Sequence, residues 1–191
     1  TRFLVDNYGD SDEMSVGHRV MFFDIEVEVT DGFPDVQKAQ NIITSIALYD
    51  CITEKYFTYC FDPQKRIESY SKDDEVVEFY DTEYEMLNKF FQKYLEIRPT
   101  IISGWNSEFF DIPYLYNRAV RVLGPEVANL LSPISQVLYS EYKKKHTIAG
   151  VSSLDYLQLY RQFTFGQKSS YRLDYIGEIE VGMKKVDYEG T

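Results

Sequence analysis

The sequence predicts a mixed α/β domain, and three observations carry that expectation. Segments rich in β-branched and aromatic residues come first and in succession. After them an apolar run, a turn and a helical pattern follow one another, which interleaves strand with helix. The 191 residues contain no internal repeat, low-complexity tract or linker, so a single domain over residues 1–191 is expected.

The first strand is MFFDIEVEV, Met21 to Val29. Side chains alternate between the faces of a strand, so Met21, Phe23, Ile25, Val27 and Val29 share one face, and Phe22, Asp24, Glu26 and Glu28 the other. One face is core and the other acidic. TDGFP, Thr30 to Pro34, is a loop by its Asp, Gly and Pro. NIITSIALYD and KYFTYCFD read as two further strands joined by a short turn around Asp50 to Glu54, an antiparallel run of three. PQKRIESYSKDDEVVEFYD reads as polar and irregular. From Thr82 to Glu96, TEYEMLNKFFQKYLE gives the clearest helix. Thr82 and Glu85 form a capping-box pattern, and Leu87, Phe90, Phe91, Tyr94 and Leu95 fall on one stripe.

PTIIS, Pro99 to Ser103, is a short apolar run between turn residues and fits a buried strand. In GWNSEFFDIPYLYNRAVRVLG, Pro113 suits the first turn of a helix, and Ile112, Leu115, Tyr116, Ala119, Val122 and Leu123 keep helical spacing as far as Gly124. QVLYSEYKKKHTIAG reads as two short strands around a basic turn. SSLDYLQLYRQF and SYRLDYIGEIE read as mostly helical with an extended lead-in.

Composition narrows the function. With 44% hydrophobic and 27% charged residues and no apolar run long enough to span a bilayer, the class is soluble and globular, with no membrane partner. TRFLVDNYGDSDEM lacks the basic lead and apolar stretch of a signal peptide, so a cytoplasmic location is expected. Cys51, Cys60, His18 and His146 match no zinc spacing, and the cysteines read as reduced thiols. A net charge of −11 argues against holding nucleic acid by overall field but leaves room for a tight acidic metal site. The 17 Tyr and 13 Phe are mostly core, with stacking on bases as the sharper use.

Two polar groups of residues could carry chemistry. Asp24 and Glu26 lie two positions apart, a rise of roughly 6.5 Å, so their carboxylates can converge on divalent cations; a solvated outer face would show the same alternation. Asn106 to Asp111, NSEFFD, sits between a buried strand and a helix. There Asp111 could serve only the helix N-terminus, and Asn106 only a turn. Glu28 reads as solvated and Trp105 as packed under the loop.

Taken in order, FDIE on a first strand and N-x-x-x-F-D after a G-W-N turn resemble the first two exonuclease motifs of family B DNA polymerases. DGFP, SGWNSEFFDIPYLYNR, SLDYLQLYRQF and SYRLDYIGE extend the resemblance, from about Phe3 onward, to the replicative polymerases of large tailed bacteriophages. It implies a ribonuclease-H-like mixed β-sheet flanked by helices with a β-hairpin insertion. It implies a 3′–5′ proofreading exonuclease that releases nucleotide monophosphates. Asp24, Glu26 and Asp111 match the metal-binding and catalytic carboxylates, and Phe33, Asn106, Phe110 and Lys168 match positions at the DNA. Phe33 would lie beside the unpaired primer end. The hairpin near Lys143 to His146 falls, in shorter form, where those enzymes carry a strand-separating hairpin.

The implied cofactors are Mg²⁺ or Mn²⁺, two ions in the intact enzyme, which suit oxygen ligands and supply charge neutralisation at the attacking and leaving oxygens. The implied partners are the single-stranded 3′ end of primer DNA, the remaining domains of a parent polymerase and a sliding clamp reached through that parent, in the bacterial host. One departure stands out. A third motif, Tyr-x-x-x-Asp, should supply the last carboxylate after SYRLDYIGE, and no match lies between Tyr175 and Thr191. YGDSD at Tyr8 and YSKDD at Tyr70 have the spacing but precede the second motif. The chain therefore reads as a fragment of a larger polymerase, weak or inactive alone; Asp155 and Asp174 are candidate substitute acids, on segments that the resemblance treats as framework. Two other classes stay open: a non-catalytic module that binds single-stranded DNA or a replication partner, and a free-standing nuclease acting on RNA or small oligonucleotides.

Overall fold

The computed structural model describes Asp6, residues 17–30 and residues 32–184. The Tyr8 motif, Asp31 of the TDGFP loop and residues 185–191 lie outside the described residues.

The expected antiparallel run is present: β1 (Val20–Val27), β2 (Ile43–Asp50) and β3 (Lys55–Phe61) pair in sequence. The turn after β2 is held by Asp50, which accepts from the Ile52 N–H at 3.0 Å and the Thr53 hydroxyl at 2.8 Å. The segment expected to be irregular instead forms two strands, β4 (Tyr70–Lys72) and β5 (Glu75–Tyr80), and β5 runs parallel to β3. β4 is exposed throughout and β5 is mostly half-buried, as suits the rim of a sheet, so charged residues here replace the apolar alternation that marks an inner strand. β1 was expected to reach Val29. It ends at Val27, after a register shift between Glu26 and Val27, which leaves Val29 67% exposed.

Helix α1 (Glu83–Ile97) starts where the cap pattern places it, with the Thr82 hydroxyl accepting from the Glu85 N–H at 3.2 Å. Met86, Leu87, Phe90, Phe91 and Tyr94 are buried, whereas Leu95 lies at the margin of the stripe and is exposed. Strand β6 (Ile101–Gly104) follows, then α2 (Asp111–Val122), α3 (Pro125–Ala128) and a 3₁₀ turn at Asn129–Leu131. The hairpin of β7 (Val137–Ser140) and β8 (Lys145–Ile148) follows as a separate two-stranded sheet. The described chain closes with β9 (Ser152–Asp155), α4 (Tyr156–Phe163) and α5 (Leu173–Val181).

The main sheet has the order β4-β5-β3-β2-β1-β6-β9, with β6 and β9 parallel to β1. Met21, Phe23 and Ile25 on one face of β1 pack with Ile46 and Leu48 of β2 against the buried faces of α1 and α2. This gives the mixed sheet flanked by helices that the sequence predicts. The opposite face of β1 carries Phe22, Asp24 and Glu26, all exposed.

A buried ion pair fixes the two helices to the loop after β1. Arg118 of α2 donates from Nε and Nη2 to the two carboxylate oxygens of Glu83 at 2.8 and 2.6 Å. Its Nη1 donates to the carbonyls of Ala39 and Gln40, and Glu83 also accepts from the Ile43 N–H at 2.8 Å. Asn117 adds a bond to the Val36 carbonyl and Tyr114 one to that of Asn41. The loop bearing Phe33 is thus anchored to the helix that begins with Asp111.

Candidate active site

Parallel pairing holds Val20, Met21 and Phe22 of β1 against Ile101, Ile102 and Ser103 of β6. Beyond Gly104, β6 turns away, and the N–H groups of β1 that face it lose their ladder partners. Asp111 takes over there: its Oδ1 accepts from the Ile25 N–H at 3.1 Å. Asp111 is 3% exposed, and burial together with the nearby negative charge of Asp24 pushes its pKa up to about 7, with Asp155 adding to the rise. Asp111 therefore does more than serve a helix N-terminus. It brings a carboxyl from the helix layer to the flank of β1 that β6 leaves, near Asp24.

The intervening loop is built for close approach. A Cβ on Gly104 would stand 2.6 Å from the Phe23 carbonyl and 3.0 Å from the Ser107 Cβ, so the strand can leave the sheet here only as glycine. Asn106 follows in the left-handed region with φ 64°, and its carbonyl accepts from the N–H groups of Phe109 and Phe110. Asn106 thus forms a turn through its backbone, one of the two roles its sequence allows.

Phe33 and Phe110 lie together, with ring centroids 5.3 Å apart. Phe110 stands 5.7 Å from Tyr114, so three rings lead from a fully buried Tyr114 to Phe33, which is 82% exposed. Phe33, Pro34 and Phe110 line a groove with Ile25, Glu26 and Val27. Asp24 borders a second groove with Gly104 and Trp105.

Lys168 lies in the connection between α4 and α5, where its ammonium meets Glu180 at 2.9 Å and faces the Tyr160 ring. Trp105 donates to the Tyr171 carbonyl at 3.1 Å and lies beside Tyr156 and Tyr160, a packed position as expected. Asp174 lies on α5 in a cleft with Trp105, Arg161 and Arg172. The hairpin turn is exposed at Tyr142, Lys143 and Lys144, whereas Lys145 pairs with Glu108 at 2.9 Å and so ties the hairpin to the Asn106–Asp111 loop. His146 is buried between the rings of Tyr116 and Tyr139, and burial lowers its pKa.

Sequence reasoning missed the partners Arg118–Glu83 and Glu108–Lys145, which join residues 35 and 37 positions apart with no local spacing signal. It also missed what Asp155 does, although an acid directly before a helical pattern is a recognisable cap. Among the described residues, no group of three or more His, Cys, Asp or Glu side chains stands ready to hold a metal ion. The oxygen donors near Asp111 nevertheless fit a hard cation, because the raised proton affinity there reflects crowded, desolvated negative charge.

A mixed sheet flanked by helices, with Asp24 and Asp111 near one another where β6 ends, is consistent with the ribonuclease-H-like exonuclease fold. Residues 5–176 match the model of the DNA polymerase family B exonuclease domain, and the chain belongs to that family. It is 35% identical to the DNA-directed DNA polymerase of Escherichia phage RB69, over 90% of this chain and 22% of that protein. It is 33% identical to the DNA-directed DNA polymerase of Enterobacteria phage T4, over 98% of this chain and 24% of that one. It is 30% identical to DNA polymerase 1 of Saccharolobus solfataricus, over 85% of this chain and 18% of that one. The chain thus spans about a quarter or less of the length of these relatives.

Proposed function

We propose that this chain is the 3′–5′ proofreading exonuclease region of a DNA-directed DNA polymerase, and that Asp24, Glu26 and Asp111 bind divalent cations there. The observation that carries the reading is the arrival of the buried Asp111 carboxyl beside Asp24, at the gap left by β6. A structural cap has no use for a second acid beside it. Mg²⁺ or Mn²⁺ bound at these oxygens would activate a water and neutralise charge on a phosphodiester. Asp111, fixed by the Ile25 N–H, sets the position of one ligand, and Asp24 supplies the other from the strand. Glu26 stands one strand period further, on the side of Phe33. Phe33 and Phe110 offer ring faces to the terminal base, and Asn106 shapes the loop between the two acids.

The remaining carboxylate is proposed to come from a Tyr-x-x-x-Asp outside this sequence, within a parent polymerase whose other domains hold the duplex and reach a sliding clamp in the bacterial cytoplasm. Asp155 is disfavoured as that ligand, because its oxygens already accept three backbone N–H groups. A longer chain that includes the motif should degrade single-stranded DNA faster than the 191-residue chain at equal concentration. Equal rates would sink the claim.

The absence of a ready-made cluster of three ligands among the described residues favours a second reading, a non-catalytic module that only binds single-stranded DNA. One experiment separates the two. Nucleotide monophosphates released from a labelled single strand, with label lost first from the 3′ end, identify the exonuclease, and Asp24→Ala or Asp111→Ala should stop the release while the protein stays folded. Binding without release in the longer chain supports the module.

A further inference from the structure

Asp155, at the end of β9, is a carboxylate only 3% exposed. Its Oδ1 accepts from the N–H groups of Leu157 at 2.9 Å and Asn106 at 3.1 Å, and its Oδ2 accepts from that of Glu108 at 3.1 Å. The Leu157 bond is an ordinary helix cap for α4. The other two reach back 49 and 47 residues, into the loop that ends at Asp111.

The residue type distinguishes these two tasks. Asparagine caps a helix as well as aspartate does, because capping uses one acceptor oxygen. Holding Asn106 and Glu108 as well requires both side-chain atoms to accept, and the amide of asparagine would set an NH₂ group against one of those N–H donors. Only the carboxylate satisfies the loop. From the other side, Glu108 is gripped by Lys145, so the loop is fixed between α4 and the hairpin. What it fixes is Asn106 in its left-handed conformation and, five residues on, the Asp111 carboxyl beside Ile25.

We propose that Asp155 is a positioning residue of the exonuclease site: it holds the Asn106–Phe110 loop through the backbone N–H groups of Asn106 and Glu108, and so places Asp111 for cation binding. This rests on the function proposed above. Asp155 acts through the loop and touches neither cation nor DNA.

The test uses Asp155→Asn and Asp155→Ala in the full 191-residue chain. Amide hydrogen exchange would be followed across residues 106–111, Mn²⁺ affinity by electron paramagnetic resonance, and thermal unfolding alongside. The asparagine variant is expected to keep α4 and an unfolding temperature near that of the parent. Exchange at Glu108, the donor left facing the amide, should nevertheless quicken at least tenfold, and Mn²⁺ affinity should fall severalfold. The alanine variant should show both losses and a less stable α4.

Unchanged exchange and Mn²⁺ affinity in the asparagine variant would overturn the proposal and leave Asp155 a cap. Abolished Mn²⁺ binding with loop exchange unchanged would overturn it in favour of direct ligation. Unfolding of both variants would overturn it as well, since the residue would then serve the whole domain. If the parent chain binds no Mn²⁺ and Asp111→Asn changes nothing, the proposed function fails, while the exchange rates still score Asp155.

Discussion

Asp111 stands where β6 would otherwise continue, its Oδ1 3.1 Å from the N–H of Ile25. A side chain replaces a strand at this point, and the replacement carries an electrostatic cost. With its pKa pushed up to about 7 from an ordinary 3.8, the folded protein holds a proton on Asp111 between about pH 4 and 7 that the unfolded chain has released. Stability therefore falls as pH rises through that window, by up to roughly 4 kcal/mol once Asp111 is ionised. Asp111→Asn keeps an acceptor for Ile25 and never ionises. Denaturant unfolding in chelator should show the variant more stable than the parent by a few kcal/mol at pH 8, and nearly equal to it at pH 4. Mn²⁺ should narrow the gap at pH 8 by stabilising only the parent. The same difference at both pH values would refute the account.

The Arg118–Glu83 pair lies under the loop that carries Phe33. Removal of one partner leaves the other charge buried, and Arg118 also serves the carbonyls of Ala39 and Gln40. Arg118→Ala is expected to destabilise the domain by roughly 3 to 5 kcal/mol, measured by urea unfolding. Joint replacement of Arg118 and Glu83 by apolar residues should recover part of that loss. A loss below about 1 kcal/mol for the single variant, the range of an exposed pair, would contradict the burial argument.

Gly104 sits at the point where β6 leaves the sheet. Its missing Cβ keeps Phe23 and Ser107 in place, because the 2.6 Å approach involves a backbone carbonyl that cannot rotate aside. Gly104→Ala should cost about 1 to 3 kcal/mol by forcing a backbone shift. It should also reduce exonuclease activity more than its stability loss explains, since the shift falls between Asp24 and Asp111. Stability and activity equal to those of the parent would show that the loop absorbs the methyl group.

Much of this arrangement was legible in the sequence because it is written locally. Alternation in MFFDIEVEV put Asp24 and Glu26 on one face, and Thr82, Pro113 and the basic turn at Lys143 marked elements that the structure contains. β4 and β5 were not legible, because strands at the rim of a sheet carry charge where inner strands carry apolar residues. The spacing of acids could not show that Asp111 reaches the flank of β1, which depends on β6 stopping at Gly104. Nor could it show the holds on the loop by Asp155 and Lys145, which join segments dozens of residues apart.

The exposed end of the aromatic series gives the last prediction. Phe33 is 82% exposed and packs at a tilt against Phe110, which in turn packs against the buried Tyr114, so the ring is held at one side and largely open to solvent. A ring held this way gains little from the fold and is preorganised for a flat ligand. Stacking of a base on an aromatic face contributes roughly 1 to 3 kcal/mol. Phe33→Ala should therefore weaken the binding of a single-stranded oligonucleotide by roughly ten-fold or more, with no change in Mn²⁺ affinity and little in the unfolding temperature. Phe33→Trp should preserve or strengthen binding. Fluorescence anisotropy of a labelled oligonucleotide, beside a thermal melt of each variant, makes the comparison. The opposite pattern, an intact affinity with a lowered melting temperature, would make Phe33 a cover for Phe110 and remove it from the DNA path.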